Sequence, residues 1–192
     1  MREGLEPGKT QRFNRAMVYK MIRPLAEFHQ DYRTIEEVII DSKTLEAAGR
    51  VCFSEVQSPG KFHTHPSYLD GLAQSSGFVM NCNDDADLDR EVFVNHGWKS
   101  LQLYEPLRPD AHYSTFVQMV EGDSRMYEGN MIVMDGDTVV ATLQGVVVSN
   151  LTSQSYLLEV LTFLFTVPRC SQTRIALRAL DGERRSSSCG VC

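Results

Sequence analysis

One stretch constrains the fold of this chain more than any other: FHTHPSYLDGLAQSSGFVMN, residues 62–81, which follows the turn signal Pro59-Gly60 and carries helical periodicity. Thr64 or His65 is placed to cap a helix whose first turn holds Pro66, a position where proline's missing N–H costs nothing. The helix is predicted to run for about four turns, to Asn81. Leu69, Leu72, Ala73, Ser76 and Met80 form one apolar stripe, with small residues that let a sheet approach closely. A second stripe carries Asp70, Gln74 and Asn81, with Gly77 between the last two. It is polar on a helix otherwise built for burial.

The rest of the chain has to cover that helix. Residues 13–28 place Met17, Met21, Leu25 and Phe28 at helical spacing, with Pro24 as a kink or an early stop. Residues 37–41 and 49–53 read as short strands. Beyond the acidic loop 84–89 the pattern becomes strand-rich, over 91–98, 100–104, 112–120, 125–134 and 138–149. Asp135-Gly136-Asp137 is a hairpin signal between the last two. The layout is α+β, a long central helix wrapped by an antiparallel sheet.

A length of 192 residues suits one domain with loosely attached ends. Nineteen Lys and Arg against 25 Asp and Glu leave a formal charge of −6, which argues against nucleic acid as a partner. The N-terminus has no apolar stretch behind its charges, and the longest apolar run, residues 160–167, is too short to cross a bilayer. The expectation is a cytoplasmic protein with no membrane partner. Five scattered cysteines give no disulfide framework. Cys189 and Cys192 form a CxxC in the last four residues, behind a Ser run and without a second ligand pair, and read as part of a solvated tail.

An Asp one turn into a buried helix, with Gln one turn further on, can face an apolar cavity. Burial there raises a carboxyl's pKa and makes it a usable proton donor, while the amide holds its orientation. On spacing alone, Asp70 and Gln74 read more readily as an i, i+4 pair facing solvent on the exposed side. His63 and His65 precede the helix and are candidate bases, although His65 also suits a cap. His96, in VNHGW, either lines a pocket or points outward; His29 and His112 have no special context. His63, His65 and Asp70 lack a recognised metal-ligand spacing, so no metal site is expected. There is no GxSxG elbow around Ser75-Ser76-Gly77 and no Gly-rich phosphate loop.

The segments RFNRAMVYKMI, DYRTIEEVIIDSKTLEAAGRVCF, GKFHTHPSYLDGLAQSSGFVMN, EVFVNHGWKSLQLYEPLRP and GDTVVATLQGVVVSN together resemble the second half of the product template domain of fungal non-reducing polyketide synthases. The resemblance covers residues 11–158, in the family's order. It implies a dehydratase-like double hot dog, of which this chain is one half: a single hot dog at 12–158, after a linker remnant at 1–11 and before a divergent tail at 159–192. It further implies regioselective aldol cyclisation and aromatisation of a poly-β-ketone. That substrate rides on the phosphopantetheine arm of an acyl carrier protein (ACP), with no dissociable cofactor and no metal.

The family's dyad pairs a His from the first hot dog with an Asp from the helix of the second. Asp70 matches that Asp in the pattern Pro66-x-x-x-Asp70, and Gln74 matches the polar position that orders it. None of the five His matches the family's catalytic one. Asn81, His96 and Trp98 resemble positions around the substrate pocket, although the residues themselves read as a helix cap for Asn81 and core packing for Trp98. The partner would be the missing His-bearing half or a second copy of the chain. Two other readings compete: a non-catalytic acyl-binding hot dog, and a stand-alone dehydratase or isomerase with His63 or His65 as base.

Overall fold

The computed structural model describes residues 10–57, 60–123 and 126–152. The apolar run at 160–167, the C-terminal CxxC and the remainder of the tail lie outside the described residues. Eight strands and two α-helices follow in the order β1 (Thr10–Asn14), α1 (Arg15–Ile22), a 3-10 turn (Gln30–Tyr32), β2 (Ile35–Asp41), β3 (Glu46–Cys52), α2 (Pro66–Asn81), β4 (Glu91–Gly97), β5 (Ser100–Leu103), β6 (His112–Glu121), β7 (Met126–Asp135) and β8 (Thr138–Thr152). All eight strands belong to one antiparallel sheet, ordered β1-β2-β3-β6-β7-β8-β4 with β5 also on β8. The sheet curls around α2, which packs against β2, β3, β4 and β6. This is the single hot dog expected from the sequence.

The central helix begins and ends where the spacing places it. His65 is its N-cap, its ring nitrogen accepting from the Ser67 N–H, and Pro66 occupies the first turn. Leu72, Ala73, Ser76 and Met80 are buried, together with Phe78 and Val79. Each large apolar side chain of this set contributes about 1.5–3 kcal/mol by leaving water. The small residues serve close approach: a Cβ on Gly71 would lie 2.1 Å from Thr34 Oγ1, and one on Gly49 would lie 2.5 Å from Thr115 Oγ1 and 3.6 Å from Ser75 Cβ.

On the sheet, Val38 and Ile40 of β2, Val51 of β3, Tyr113, Val117 and Met119 of β6, and Met131 and Val133 of β7 turn inward with strand period. On β8 the inward set shifts phase, from Ala141 and Leu143 to Val146 and Val148. The register break sits opposite Asn130, beside Gly145, whose φ of 58° is a left-handed conformation that glycine adopts without strain. The hairpin read at Asp135-Gly136-Asp137 is present: Asp135 pairs with Thr138, and Gly136 has φ 59°.

Two expectations need correction. Residues 13–28 do not form one helix with Met17 and Met21 inward. Phe13 is a buried strand residue, Asn14 caps a helix that starts at Arg15, and the buried pair is Val18 and Ile22. Met17 and Met21 are 45% and 36% exposed, because Phe13 of β1 pairs with Val38 of β2 and the helix that follows buries the face one residue away from the predicted one. The domain also reaches back beyond residue 12, since Thr10 and Gln11 pair with Asp41 and Ile40. Among the described residues, no helix is long and apolar enough to cross a membrane.

Candidate active site

Asp70 lies one turn into α2, half-buried, with Gln74 one turn below it. The Gln74 side chain is only 6% exposed, so the solvent-facing alternative for this pair does not hold. Its amide is fully engaged. Nε2 donates to Asp70 Oδ2 at 2.6 Å and to the Tyr32 carbonyl, presented by the 3-10 turn, at 2.7 Å. Oε1 accepts from the Tyr19 hydroxyl of α1 at 2.8 Å, and that hydroxyl in turn accepts from the Ile35 N–H at 3.0 Å. Two acceptors on one side and one donor on the other fix the orientation of the amide. The Asp70 carboxyl is thereby held through one oxygen, and Oδ1 receives no hydrogen bond among the described residues.

Burial pushes the Asp70 pKa above its ordinary value, and the Gln74 hydrogen bond opposes this only in part. Burial also pushes the Tyr19 hydroxyl up, so it remains a neutral donor. The consequence for stability has a definite sign. A carboxyl that holds its proton more tightly in the folded state than in the unfolded one gives full stability below its ordinary value of 3.8. That stability falls as pH rises through the raised folded value. Asp70→Asn cannot ionise and should therefore melt higher than the parent chain at pH 7, the gain vanishing by about pH 3. Thermal melts of both proteins across that range check it.

A cavity of about 650 Å³ opens along α1, bordered by Tyr19. Its wall includes Tyr19 and Phe28, and its rim the cationic Arg15, Lys20, Arg23 and Arg33. Arg15 is committed to Glu55, and the Arg33 guanidinium stands 5.9 Å from the Tyr19 ring centre and donates to the Phe28 carbonyl. Asp70 is not among the described residues lining this cavity; Tyr19 is the element common to it and to the Asp70 network.

The remaining candidates are not gathered with Asp70. Asn81 lies eleven residues, about 16 Å, further along α2. Its Nδ2 donates to the Gly77 and Phe93 carbonyls and its Oδ1 accepts from the Phe93 N–H, so it clamps the end of α2 onto β4. His96 is exposed on β4 and bonds Ser149 Oγ at 2.6 Å. Trp98 is 41% exposed, not in the core, because Gly97 turns the chain out of β4 with φ 131°. His65 serves as the helix cap and packs against Phe62 and Tyr68; His63 is exposed and touches Thr64. Sequence reasoning missed Tyr19. Its signal was a phenol in an otherwise short apolar helix, since a tyrosine hydroxyl that becomes buried needs a partner.

A family model described as the polyketide synthase dehydratase N-terminal domain matches residues 4–156. The chain belongs to this dehydratase family. Among its relatives are the non-reducing polyketide synthase pgmA of Aspergillus terreus, 52% identical over 151 residues, which covers 76% of this chain and 7% of that synthase. Norsolorinic acid synthase stcA of Emericella nidulans is 40% identical over 144 residues, covering 74% of this chain and 6% of the synthase. The chain thus spans a small fraction of the length of the curated relatives it matches. The dehydratase domain from the CurJ module of curacin polyketide synthase has the same fold, with a TM-score of 0.62 at 18% identity over 77% of this chain and 51% of that one. One dehydratase-family hot dog therefore corresponds to about half of that dehydratase domain.

Proposed function

We propose that this chain is the second hot dog of a product template domain, acting in the aldol cyclisation and aromatisation of a poly-β-ketone carried on the phosphopantetheine arm of an ACP. The observation that carries this reading is Asp70 itself: a half-buried carboxyl with a raised pKa, held through one oxygen by an amide that is itself hydrogen-bonded at both ends, while its other oxygen receives no hydrogen bond among the described residues. The matched family model bears the name of the N-terminal domain. Assignment to the second half rests instead on the helix-borne Asp70 and on the order of motifs shared with product template domains.

The chemistry asks for a base and an acid. A His on the first hot dog removes a proton from a methylene flanked by two carbonyls, and the enolate carbon bonds to a distant carbonyl carbon of the folded chain. The oxygen of that carbonyl gains negative charge and takes a proton; Asp70, whose burial makes the carboxyl hold a proton more tightly than a free one, supplies that proton or, in its protonated form, donates the hydrogen bond that stabilises the charge. Loss of water then aromatises the ring. An aspartate-to-asparagine and a histidine-to-phenylalanine replacement are each described as an inactive mutant of the related CurK dehydratase, which supports a two-residue division of labour.

Supplied alone with a thioester-linked poly-β-ketone mimic, the chain should give negligible cyclised product. Mixed or fused with a product template first hot dog carrying its His, it should form one dominant regioisomer. Equal cyclisation with and without that half would contradict the division of roles.

A further inference from the structure

We propose that Glu36, Cys52 and His112 form a zinc-binding site on the outer face of the sheet. One ligand atom from each lies within 4.8 Å of the other two. Strand pairing brings them together: Cys52 of β3 is the direct cross-strand partner of His112 at the start of β6, and both side chains point away from the core that Val51 and Tyr113 fill. Glu36 joins them through an irregularity in β2. Ile35 pairs with Val51 and Glu37 with Arg50, leaving Glu36 as the extra residue of a bulge. A bulge re-aims its side chain, and here it carries the Glu36 carboxylate to the His112 ring, with Oε2 2.9 Å from Nδ1.

The donor set selects the metal. A thiolate, an imidazole and one carboxylate suit Zn²⁺ and are a poor match for Mg²⁺ or Ca²⁺, which take oxygen ligands. Bond lengths of about 2.0–2.3 Å in a tetrahedron require ligand atoms roughly 3.3–3.8 Å apart, so these three need move by only about 1 Å. Three local groups compete. Arg50 Nε also contacts Glu36 Oε2, at 3.0 Å, and must yield that oxygen; the Cys52 thiol contacts Ser54 Oγ and the Pro109 carbonyl and gives those up. On binding, the thiol proton is released to solvent and the sulfur's electron pair forms the Zn–S bond, with water as fourth ligand.

Position gives the site a consequence. The bulged Glu36 follows Ile35, whose N–H holds the Tyr19 hydroxyl, and the Cys52 N–H bonds the Thr34 carbonyl. Zinc would pin β3 and β6 to β2, the strand whose Ile35 anchors the Asp70 network. The site does not depend on the proposed cyclisation.

The test uses the full chain with Cys170, Cys189 and Cys192 replaced by Ser, so that Cys52 and the buried Cys82 are the remaining thiols. Titration with Co²⁺ as probe should show thiolate-to-metal charge-transfer absorption saturating at one equivalent, reversed by Zn²⁺. Zinc in about hundred-fold excess over Kd should raise the Tm by about 5 °C or more. Cys52→Ser should abolish the absorption, and His112→Ala or Glu36→Gln should weaken binding at least about ten-fold, with Cys82→Ser unchanged. Absence of the charge-transfer band, or an affinity indifferent to His112→Ala and Glu36→Gln, would overturn the site.

Discussion

Replacing Asp70 with Asn should lower cyclisation turnover by at least about 10²-fold once the chain is combined with the His-bearing half, the scale of a lost general acid. The substitution keeps the size and the Gln74 contact, since an amide oxygen can still accept from Nε2. It removes the transferable proton. Binding should survive, so the loss belongs in kcat rather than KM. Stability should move the other way, because the variant no longer carries a carboxyl whose ionisation the fold disfavours. A protein that becomes inactive while melting higher cannot be explained by unfolding. Turnover within a few-fold of the parent would place the chemistry elsewhere and favour a hot dog that only binds acyl chains.

Gln74→Leu should be the most destabilising single change near the site. It leaves Asp70 Oδ2, the Tyr32 carbonyl and the Tyr19 hydroxyl without their partner in a position where Gln74 is only 6% exposed. Each buried polar group left unmatched costs about 1–3 kcal/mol, and Tyr19 recovers part through the Tyr32 carbonyl at 3.3 Å. The net loss is on the order of 3 kcal/mol, or about 6–12 °C in Tm for a chain of this size. Tyr19→Phe should cost less, since it orphans only Gln74 Oε1 and the Ile35 N–H. Calorimetric melts rank the two; a Gln74→Leu protein as stable as its parent would mean that the amide is well hydrated and positions nothing.

Local chemistry made the central helix legible. His65 and Pro66 are start signals whose meaning is settled within a few residues, and the structure keeps both, whereas the spacing of Asp70 and Gln74 left a solvent-facing pair open until the burial of Gln74 decided against it. The phase of α1 was not legible, because it depends on Phe13 being drawn into β1 by its pairing with Val38, a contact 25 residues away. Tyr19 was invisible for the same reason: its hydroxyl matters only once α1 lies across Gln74 and Ile35. Asn81 and Trp98 went the opposite way. A helix-terminal Asn looked like a cap or a pocket residue, yet its amide is spent on the edge of β4. The lone Trp looked like core and is turned outward by Gly97. Glu36, Cys52 and His112 have no shared sequence spacing at all; only the bulge in β2 and the register of β3 on β6 unite them.

The central claim is that burial makes the Asp70 carboxyl hold its proton more tightly than a free carboxyl does. A ¹³C-detected titration of the Asp70 carboxyl in the intact chain reads this without any substrate or partner half. The account predicts a midpoint above 3.8, rising further in Gln74→Leu if that variant stays folded. A midpoint at or below 3.8 would show a carboxylate already ionised and well solvated, and would contradict the role of proton donor.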